Sequence, residues 1–313
     1  MSEFDLIRRH FTRATPGALL GVGDDCALLQ VAPGNVLAVS TDMLVSGTHF
    51  FPDADPYLLG HKTLAVNLSD LAAMGAVPRW ATLAISLPVA DDVWLAQFSA
   101  GFFALAHAHK VDLVGGDTTR GPLNLCVTIF GEVDAQQALR RSGAQAGDEI
   151  WVSGNLGDAA LALAHLLDQV SLNEDEFASC AAALHQPQPR IALGLALRGL
   201  ARSAIDISDG LIADLGHILD ASGVGAEIDF SSLPVSEIFR RRFAANYLLS
   251  GGDDYELCFT APLARHAEVL TLSREIDLRL TRIGRIVAGR GCLIQDAGGK
   301  LIDTEGAGYD HFR

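Results

Sequence analysis

Short apolar segments of strand length alternate with longer segments of helical spacing along most of the chain. In the first part, strand patterns fall at 35–41, 80–87, 111–114 and 123–133, and helical patterns at 57–74 and 93–109. Strands that alternate with helices are typical of sheets covered by helices. The chain is therefore predicted to have an α/β or α+β fold, and periodicity alone leaves the strand order open.

A polar, glycine-containing stretch at 134–148 interrupts this alternation, and a new strand, EIWVSG, follows it. The second part continues with helices at 158–167 and 211–221, a helix that ends at Leu200, and strands at 204–207, 255–260 and 279–287. A length of 313 residues is enough for two hydrophobic cores. We therefore expect two domains, 1–137 and 138–313.

Composition excludes several classes of protein. The net charge of −15 offers no basic surface for a nucleic acid or an anionic membrane, and no apolar run approaches the length of a membrane span. The five cysteines are odd in number and form no CxxC pair, which favours free thiols in a cytoplasmic protein. Hydrophobic residues make up 49% of the chain, as in globular proteins.

Acidic residues recur in six short segments, most of them where an apolar strand ends or a helix begins. They are Asp24 and Asp25 in LGVGDDCALL, Asp42 in VSTDML, Asp70 in NLSDLAAMG, Asp117 in VGGDTTRG, Asp206 and Asp209 in AIDISDGL, and Asp253, Asp254 and Glu256 in SGGDDYEL. Together they indicate a cage of carboxylates. Carboxylates accompanied by Ser and Thr oxygens suit a hard cation, Mg²⁺ in particular.

Each segment also has a purely structural interpretation. The apolar residues around Asp24 and Asp25 indicate a strand that heads inward, but GDD can equally be an exposed turn. Asp209 is a good helix N-cap, Asp117 can belong to a turn, and Asp206 can form an Asx turn. Lys62 is expected to be a surface charge, and Cys26 a buried strand residue.

A nucleotide site, if present, is not a P-loop, because no G-x-x-x-x-G-K-[ST] motif occurs. Two glycine-rich turns, VGGDTTRG and VSGNLGDAA, can offer backbone N–H groups to phosphates. Arg140 and Arg141 add guanidinium groups.

The ordered series GVGDDCA, VSTDMLVSGTHF, KTLAVNLSDLAAMGA, GGDTTRGP, RSGAQAGD, AIDISDGL, SGGDDYEL and GYDHF resembles that of thiamine-monophosphate kinases. These enzymes belong to the superfamily of ATP enzymes that resemble aminoimidazole ribonucleotide synthetase. The resemblance spans nearly the whole chain. It implies ATP-dependent phosphorylation of thiamine monophosphate with several Mg²⁺ ions, and a homodimer whose N-terminal α/β domains pair through an intermolecular sheet.

The resemblance also implies roles for individual residues. The metal ligands would be Asp25, Ser40, Thr41, Asp42, Asp70, Asp117, Asp206 and Asp209. ATP would contact Gly116, Asp117, Arg141 and Ser208. Thiamine monophosphate would contact His49, Glu256 and, as a substitute for an aromatic residue found in some relatives, Tyr309.

Direct in-line phosphoryl transfer is expected, without a general base, because the attacking phosphate oxygen is ionised near neutral pH. Two alternatives stay open. One is another reaction of the same superfamily, such as that of aminoimidazole ribonucleotide or selenophosphate synthetases. The other is a protein that binds divalent metals without catalysis.

Overall fold

The structure, a computed structural model, describes residues 3–242 and 245–302. The chain separates into two compact units. The first comprises Met1–Leu71 and Ala76–Gln136, and the second comprises Ala72–Gly75 and Gln137–Arg313. Each unit contains its own sheet with helices, so the predicted two-domain α/β architecture is confirmed.

The first unit is built on a four-stranded sheet. Its strands are β1 (Val36–Val45), β2 (Val77–Leu87), β3 (Asp112–Arg120) and β4 (Asn124–Val133), in the spatial order β1-β4-β2-β3. Only β2 and β3 are parallel. Its helices are α1 (Glu3–Leu6), which continues as a π-helical segment at Ile7–Phe11, α2 (Pro56–Ala73) and α3 (Asp92–Ala108).

Helices α2 and α3 approach each other closely through glycine. A Cβ at Gly60 would collide with the carbonyl of Phe98, and a Cβ at Gly101 would collide with the carbonyl of Tyr57. The backbones therefore touch at both positions. Leu68 of α2 and Phe102 of α3 are fully buried on either side of this contact.

The second unit contains a seven-stranded mixed sheet in the order β11-β10-β7-β9-β5-β8-β6. These strands are β5 (Asp148–Ser153), β6 (Ser203–Asp206), β7 (Gly225–Asp229), β8 (Leu257–Pro262), β9 (Leu280–Val287), β10 (Gly291–Gln295) and β11 (Leu301–Ile302). Its helices are α4 (Asp158–Leu166), α5 (Glu174–His185), α6 (Ile191–Ala196), α7 (Leu211–Ser222), α8 (Glu237–Arg242), α9 (Ala245–Ser250) and α10 (His266–Glu275). Central strand β5 is buried along its whole length.

Most predicted elements are present, but several sequence-based interpretations are wrong. The GGDTTR segment is part of strand β3 and not a glycine-rich turn, and β1 extends through Asp42 to Val45. The helix that was predicted to end at Leu200 is the shorter α6. Polar residues in β1 and two glycines in β3 conceal these strands in the sequence, because pairing with β4 and with β2 sets their length.

Two predictions about exposure are wrong, and one alternative that was left open is confirmed. Lys62 is 5% exposed instead of lying on the surface, because it belongs to the buried part of α2. Cys26 is exposed and not a buried strand residue. Asp24 and Asp25 lie with it in an exposed loop, so the interpretation of GDD as an exposed turn is confirmed. Within the described ranges, no helix combines the length and the apolar character that a membrane span requires.

Candidate active site

Strand β1 and helix α2 bring polar side chains together in the first unit. The Ser40 hydroxyl donates a short hydrogen bond to the carboxylate of Asp70, and the backbone N–H of Asp42 donates to Asn67 Oδ1 over 3.2 Å. Ser40 and Asp42 are two residues apart on a strand and so share a face, and Asn67 and Asp70 are three apart on a helix. Alternation in β1 and helical spacing in α2 therefore assemble one cluster.

Two carboxylates in this cluster repel each other. Burial, followed by the negative charge of neighbouring Asp70 and a hydrogen bond to it, raises the pKa of Asp42 from 3.8 to about 7. An ionised pair in such surroundings needs either a proton or a cation to be stable. The arrangement thus favours a positively charged ligand between the two side chains.

The donor set fits Mg²⁺. Carboxylate and hydroxyl oxygens are the ligands that this hard cation prefers, and Asp42, Asp70 and Ser40 supply both kinds. In the described part of the chain no group of three or more His, Cys, Asp or Glu side chains is arranged to hold a metal ion alone. A cation held here would therefore complete its coordination with water and substrate phosphates, as Mg²⁺ commonly does.

Asp117, another predicted ligand, lies elsewhere on the same sheet. Asp42 is in register with Val127 and Leu83, which are buried, whereas Asp117 is in register with Ala84, which is exposed. The two carboxylates therefore point to opposite faces, from strands at opposite edges of the sheet, about 14 Å apart. One chain's sheet does not gather them into a single cage. Their roles as metal ligands stay predictions.

Gly116 is required by the close approach of β3 to β2. Its φ is +150°, and a Cβ at this position would collide with the backbone carbonyl of Leu83. Thr41 lies on the face opposite to Asp42, where its hydroxyl is 2.8 Å from that of Thr128. Both residues are exposed, Thr41 on β1 and Gly116 on β3.

His49 lies in the turn that follows β1. Its Nδ1 accepts the backbone N–H of Val45 over 3.0 Å. A ring nitrogen that accepts a hydrogen bond is unprotonated, so in the neutral ring the proton is on Nε2. In the neutral ring, Nε2 is therefore the donor and Nδ1 the acceptor.

In the second unit, Ser208 and Asp209 lie in the loop between β6, which ends at the buried Asp206, and α7. The N-cap of α7 is Gly210, so the interpretation of Asp209 as the N-cap is wrong. Instead Asp214, the fourth residue of α7, accepts with Oδ2 the backbone N–H groups of Ser208, Asp209 and Gly210 over 3.0 to 3.1 Å. Asp214 thereby holds the loop in shape.

Glu256, predicted to contact the substrate, is 5% exposed, and both of its oxygens are engaged. Arg190 Nε donates to Oε2 over 2.6 Å, the Arg190 NH2 group donates to Oε1, and Ser153 Oγ donates to Oε2 over 2.5 Å. Gly154, with φ +61°, allows this packing, because a Cβ there would collide with the carboxylate. Glu256 thus belongs to a buried ion pair.

Sequence reasoning missed three residues of these clusters. Asn67 could have been found from its i−3 spacing to Asp70, and Asp214 from its position in the first turn of α7. Arg190 carries no such local signal, because it is 66 residues from its partner. Arg141 is exposed, and Tyr309 lies outside the described residues.

The neighbouring Asp254 accepts the backbone N–H of Gly157 with Oδ1 over 2.9 Å, just before α4 begins. Its other oxygen, Oδ2, is buried and has no hydrogen-bond partner among the described residues. Burial, the largest cause, and the nearby charge of Glu256 raise the pKa of Asp254 above its usual range. This side chain therefore favours its protonated form.

Comparison with known proteins relates both units to one family. The family models for AIR synthase related protein, N-terminal domain and C-terminal domain, match residues 23–133 and 145–296. The crystal structure of thiamine-monophosphate kinase from Stenotrophomonas maltophilia K279a is 48% identical and covers 96% of each chain, with a TM-score of 0.86. AaThiL complexed with AMPPCP and TMP is 31% identical over 99% of this chain and 96% of its own, with a TM-score of 0.79.

Thiamine-monophosphate kinase from Escherichia coli K12 is 48% identical over 320 aligned positions, which cover 99% of this chain and 98% of that enzyme. The one from Salmonella typhimurium is 47% identical over 318 positions, with the same coverage. The aligned region covers 99% of this chain and therefore extends across both units. The chain belongs to the thiamine-monophosphate kinase family of AIR synthase related proteins.

Proposed function

We propose that this chain phosphorylates thiamine monophosphate to thiamine diphosphate and uses ATP as the phosphoryl donor. The observation that carries the proposal is the match, at 47% to 48% identity and nearly full coverage, to enzymes named for this activity. The complex of AaThiL with AMPPCP, an ATP analogue, and TMP supports the same pair of substrates. The paired carboxylates Asp42 and Asp70 supply the acidic site that such a reaction needs.

The reaction is direct in-line transfer. A phosphate oxygen of thiamine monophosphate attacks the γ-phosphorus of ATP, a new O–P bond forms, and the bond to ADP breaks with its electron pair leaving on ADP. A phosphomonoester has a second pKa of about 6, so this oxygen needs no strong general base. The transition state requires alignment and charge neutralisation above all.

In the first domain, residues 1–137, Mg²⁺ would be held by Asp42, Asp70 and Ser40. Further proposed ligands, at separate positions in this domain, are Asp25, Thr41 and Asp117. In the second domain, residues 138–313, Asp206 and Asp209 would be ligands. Mg²⁺, when bound, neutralises the phosphates of two polyanionic substrates that carboxylates would otherwise repel. Several ions per chain are proposed because the acidic groups are spread over opposite faces of one sheet and over the second domain.

The remaining residues bind and orient the substrates. Gly116 and Asp117 of β3, Ser208 and exposed Arg141 are proposed to contact ATP. His49 is proposed to donate its Nε2–H to thiamine monophosphate, and not to act as a base. Tyr309 completes the proposed substrate contacts. Glu256, also predicted from the sequence as a substrate contact, is proposed to act as a positioning residue, because its carboxylate fixes Arg190 in place.

We propose a homodimer that forms through the sheet of the first domain. Edge strand β1 exposes apolar side chains on alternate residues, among them Val39 at 53% and Met43 at 55% exposure. A long edge strand with an exposed apolar face is a natural surface for pairing between chains. Light scattering coupled to gel filtration tests this, because Val39→Glu with Met43→Glu is expected to give a monomer. A dimer that survives both changes would exclude this surface.

A cytoplasmic location is also proposed. All five cysteines are free, as expected for thiols kept reduced in that compartment.

The activity is tested by incubating the purified chain with ATP, Mg²⁺ and thiamine monophosphate and separating the products by chromatography. We expect thiamine diphosphate, no product after EDTA, and a rate that still rises when Mg²⁺ exceeds ATP. Rate saturation at one Mg²⁺ per ATP would contradict multiple ions. Absence of product, with ATP still raising the melting temperature, would assign the chain another reaction of its superfamily.

A further inference from the structure

The segment at 12–35, which joins the π-helical segment to β1, lies entirely outside the core. The structure describes all of its residues, and none of them is buried. A segment of this kind gains little from apolar burial, so specific hydrogen bonds must determine where it lies. This segment carries Asp24 and Asp25.

Side chains of the sheet fasten the first end of the segment at Gly17. Asp112, the first residue of β3, accepts the Gly17 N–H over 2.7 Å, and the indole Nε1–H of Trp80 in β2 donates to the Gly17 carbonyl over 2.9 Å. Trp80 is 2% exposed and therefore rigid. Both backbone groups of one residue are thus held by the sheet.

The second end is fastened at Ala32. Its N–H donates to Oε1 of Glu132 over 2.8 Å, and the other oxygen of Glu132 accepts Nε of Arg79 over 3.1 Å. Glu132 is 3% exposed, and such a buried carboxylate keeps its orientation only while both partners are present. The two fastening points are on β3 and β4 of the same sheet.

Between these points the segment forms a narrow loop. Leu20 and Leu28 exchange two backbone hydrogen bonds, of 3.2 and 2.9 Å, and the chain reverses between them. Asp24 and Asp25 lie near the tip, where the Asp25 N–H donates to Asp24 Oδ1 over 3.0 Å. The carboxylates are therefore held in place through the base of the loop.

We propose that Asp112 and Glu132 are positioning residues of the reaction, which set the Mg²⁺ affinity of the Asp25 loop by fastening its two ends to the sheet. The inference rests on the proposed function, in which Asp25 is a ligand. A loop that is already ordered loses less conformational entropy when its carboxylate binds a cation. When one of these hydrogen bonds is lost, part of the free energy of Mg²⁺ binding is used to order the loop, and the Mg²⁺ affinity falls.

The central test compares Asp112→Ala with Asp91→Ala. Asp91 caps α3 by accepting the N–H groups of Val93 and Trp94, so its loss removes comparable hydrogen bonds from the same unit without touching the loop. In Asp112→Ala we expect an about tenfold higher Mg²⁺ concentration for half-maximal binding, measured calorimetrically with an ATP analogue that cannot be hydrolysed. Hydrogen–deuterium exchange at 18–31 should accelerate. Asp91→Ala should leave both quantities unchanged.

Equal Mg²⁺ affinity and equal exchange in the Asp112→Ala and Asp91→Ala chains would overturn the proposal. If Asp112→Ala fails to fold, Trp80→Phe removes the other bond to Gly17 and is judged by the same two measurements. Neither measurement requires turnover. The two hypotheses therefore fail separately. A parent chain that makes no thiamine diphosphate would refute the proposed function. Slower or unchanged hydrogen–deuterium exchange at 18–31 in the variants would refute the role of these hydrogen bonds in ordering the loop.

Discussion

Arg190 and Glu256 form a bidentate ion pair in which the guanidinium donates hydrogen bonds to both carboxylate oxygens, with Nε 2.6 Å from Oε2. The Glu256 side chain is 7% exposed and that of Arg190 is 24% exposed. Removing one member of a buried pair leaves an uncompensated charge, whereas removing both does not. The pair therefore acts as a unit.

Arg190→Met is expected to lower the free energy of unfolding by about 3 kcal/mol, because Glu256 loses its buried counter-charge. The double change Arg190→Met with Glu256→Leu should recover most of this loss. Urea unfolding of the three chains measures the difference. Additive losses in the double variant would show that the two residues contribute independently.

The stability of the metal-free chain should depend on pH through Asp42. Its pKa is about 7 in the folded chain, above the usual 3.8, so the folded state binds the proton more tightly than the unfolded state. The contribution of Asp42 to stability is therefore lost as pH rises from about 4 to about 7. In EDTA, Asp42→Asn should become more stable than the parent chain across this range, by about 4 kcal/mol at most. A difference that does not change with pH would contradict the raised pKa.

Asp70→Asn should abolish turnover and leave the fold intact. Asparagine keeps an oxygen that can accept the Ser40 hydroxyl, but it removes one of the two charges that attract Mg²⁺. The product assay and circular dichroism together check this. A kcat equal to that of the parent at saturating Mg²⁺ would remove Asp70 from the metal site.

Glycine packing between α2 and α3 should be sensitive to a single methyl group. Gly101→Ala places a Cβ against the carbonyl of Tyr57, so the helices must separate, and we expect a loss of about 2 kcal/mol or more. Gly216→Ala is the matched control, since it lies within α7 and has no atom near its Cβ position. There alanine should stabilise the chain by about 0.8 kcal/mol through helix propensity. Thermal unfolding of both variants measures the contrast, and equal effects would contradict the close approach.

Local patterns were sufficient for much of the fold. The apolar spacing of α2 and α3 and the continuous strand-like runs of β2 and β4 were predicted close to their observed bounds, because these residues bury the same face in any fold of this class. Asp70 was correctly placed inside a helix. The ordered acidic motifs were enough to indicate the family.

Contacts between distant residues decided the rest. The GGDTTR segment is a strand and not a turn because it pairs with β2. Asp117 and Asp42 point to opposite faces because of the strand register, which a sequence does not specify. The burial of Lys62, the partner of Glu256 and the fastening of Gly17 to Asp112 likewise arise only when remote segments meet. The sequence by itself determined the helices, the strands and the chemistry of the carboxylates, since these follow from near neighbours. Only the tertiary structure decided which carboxylates are paired, buried or exposed, because the charge and solvation around each one come from residues far away in the chain.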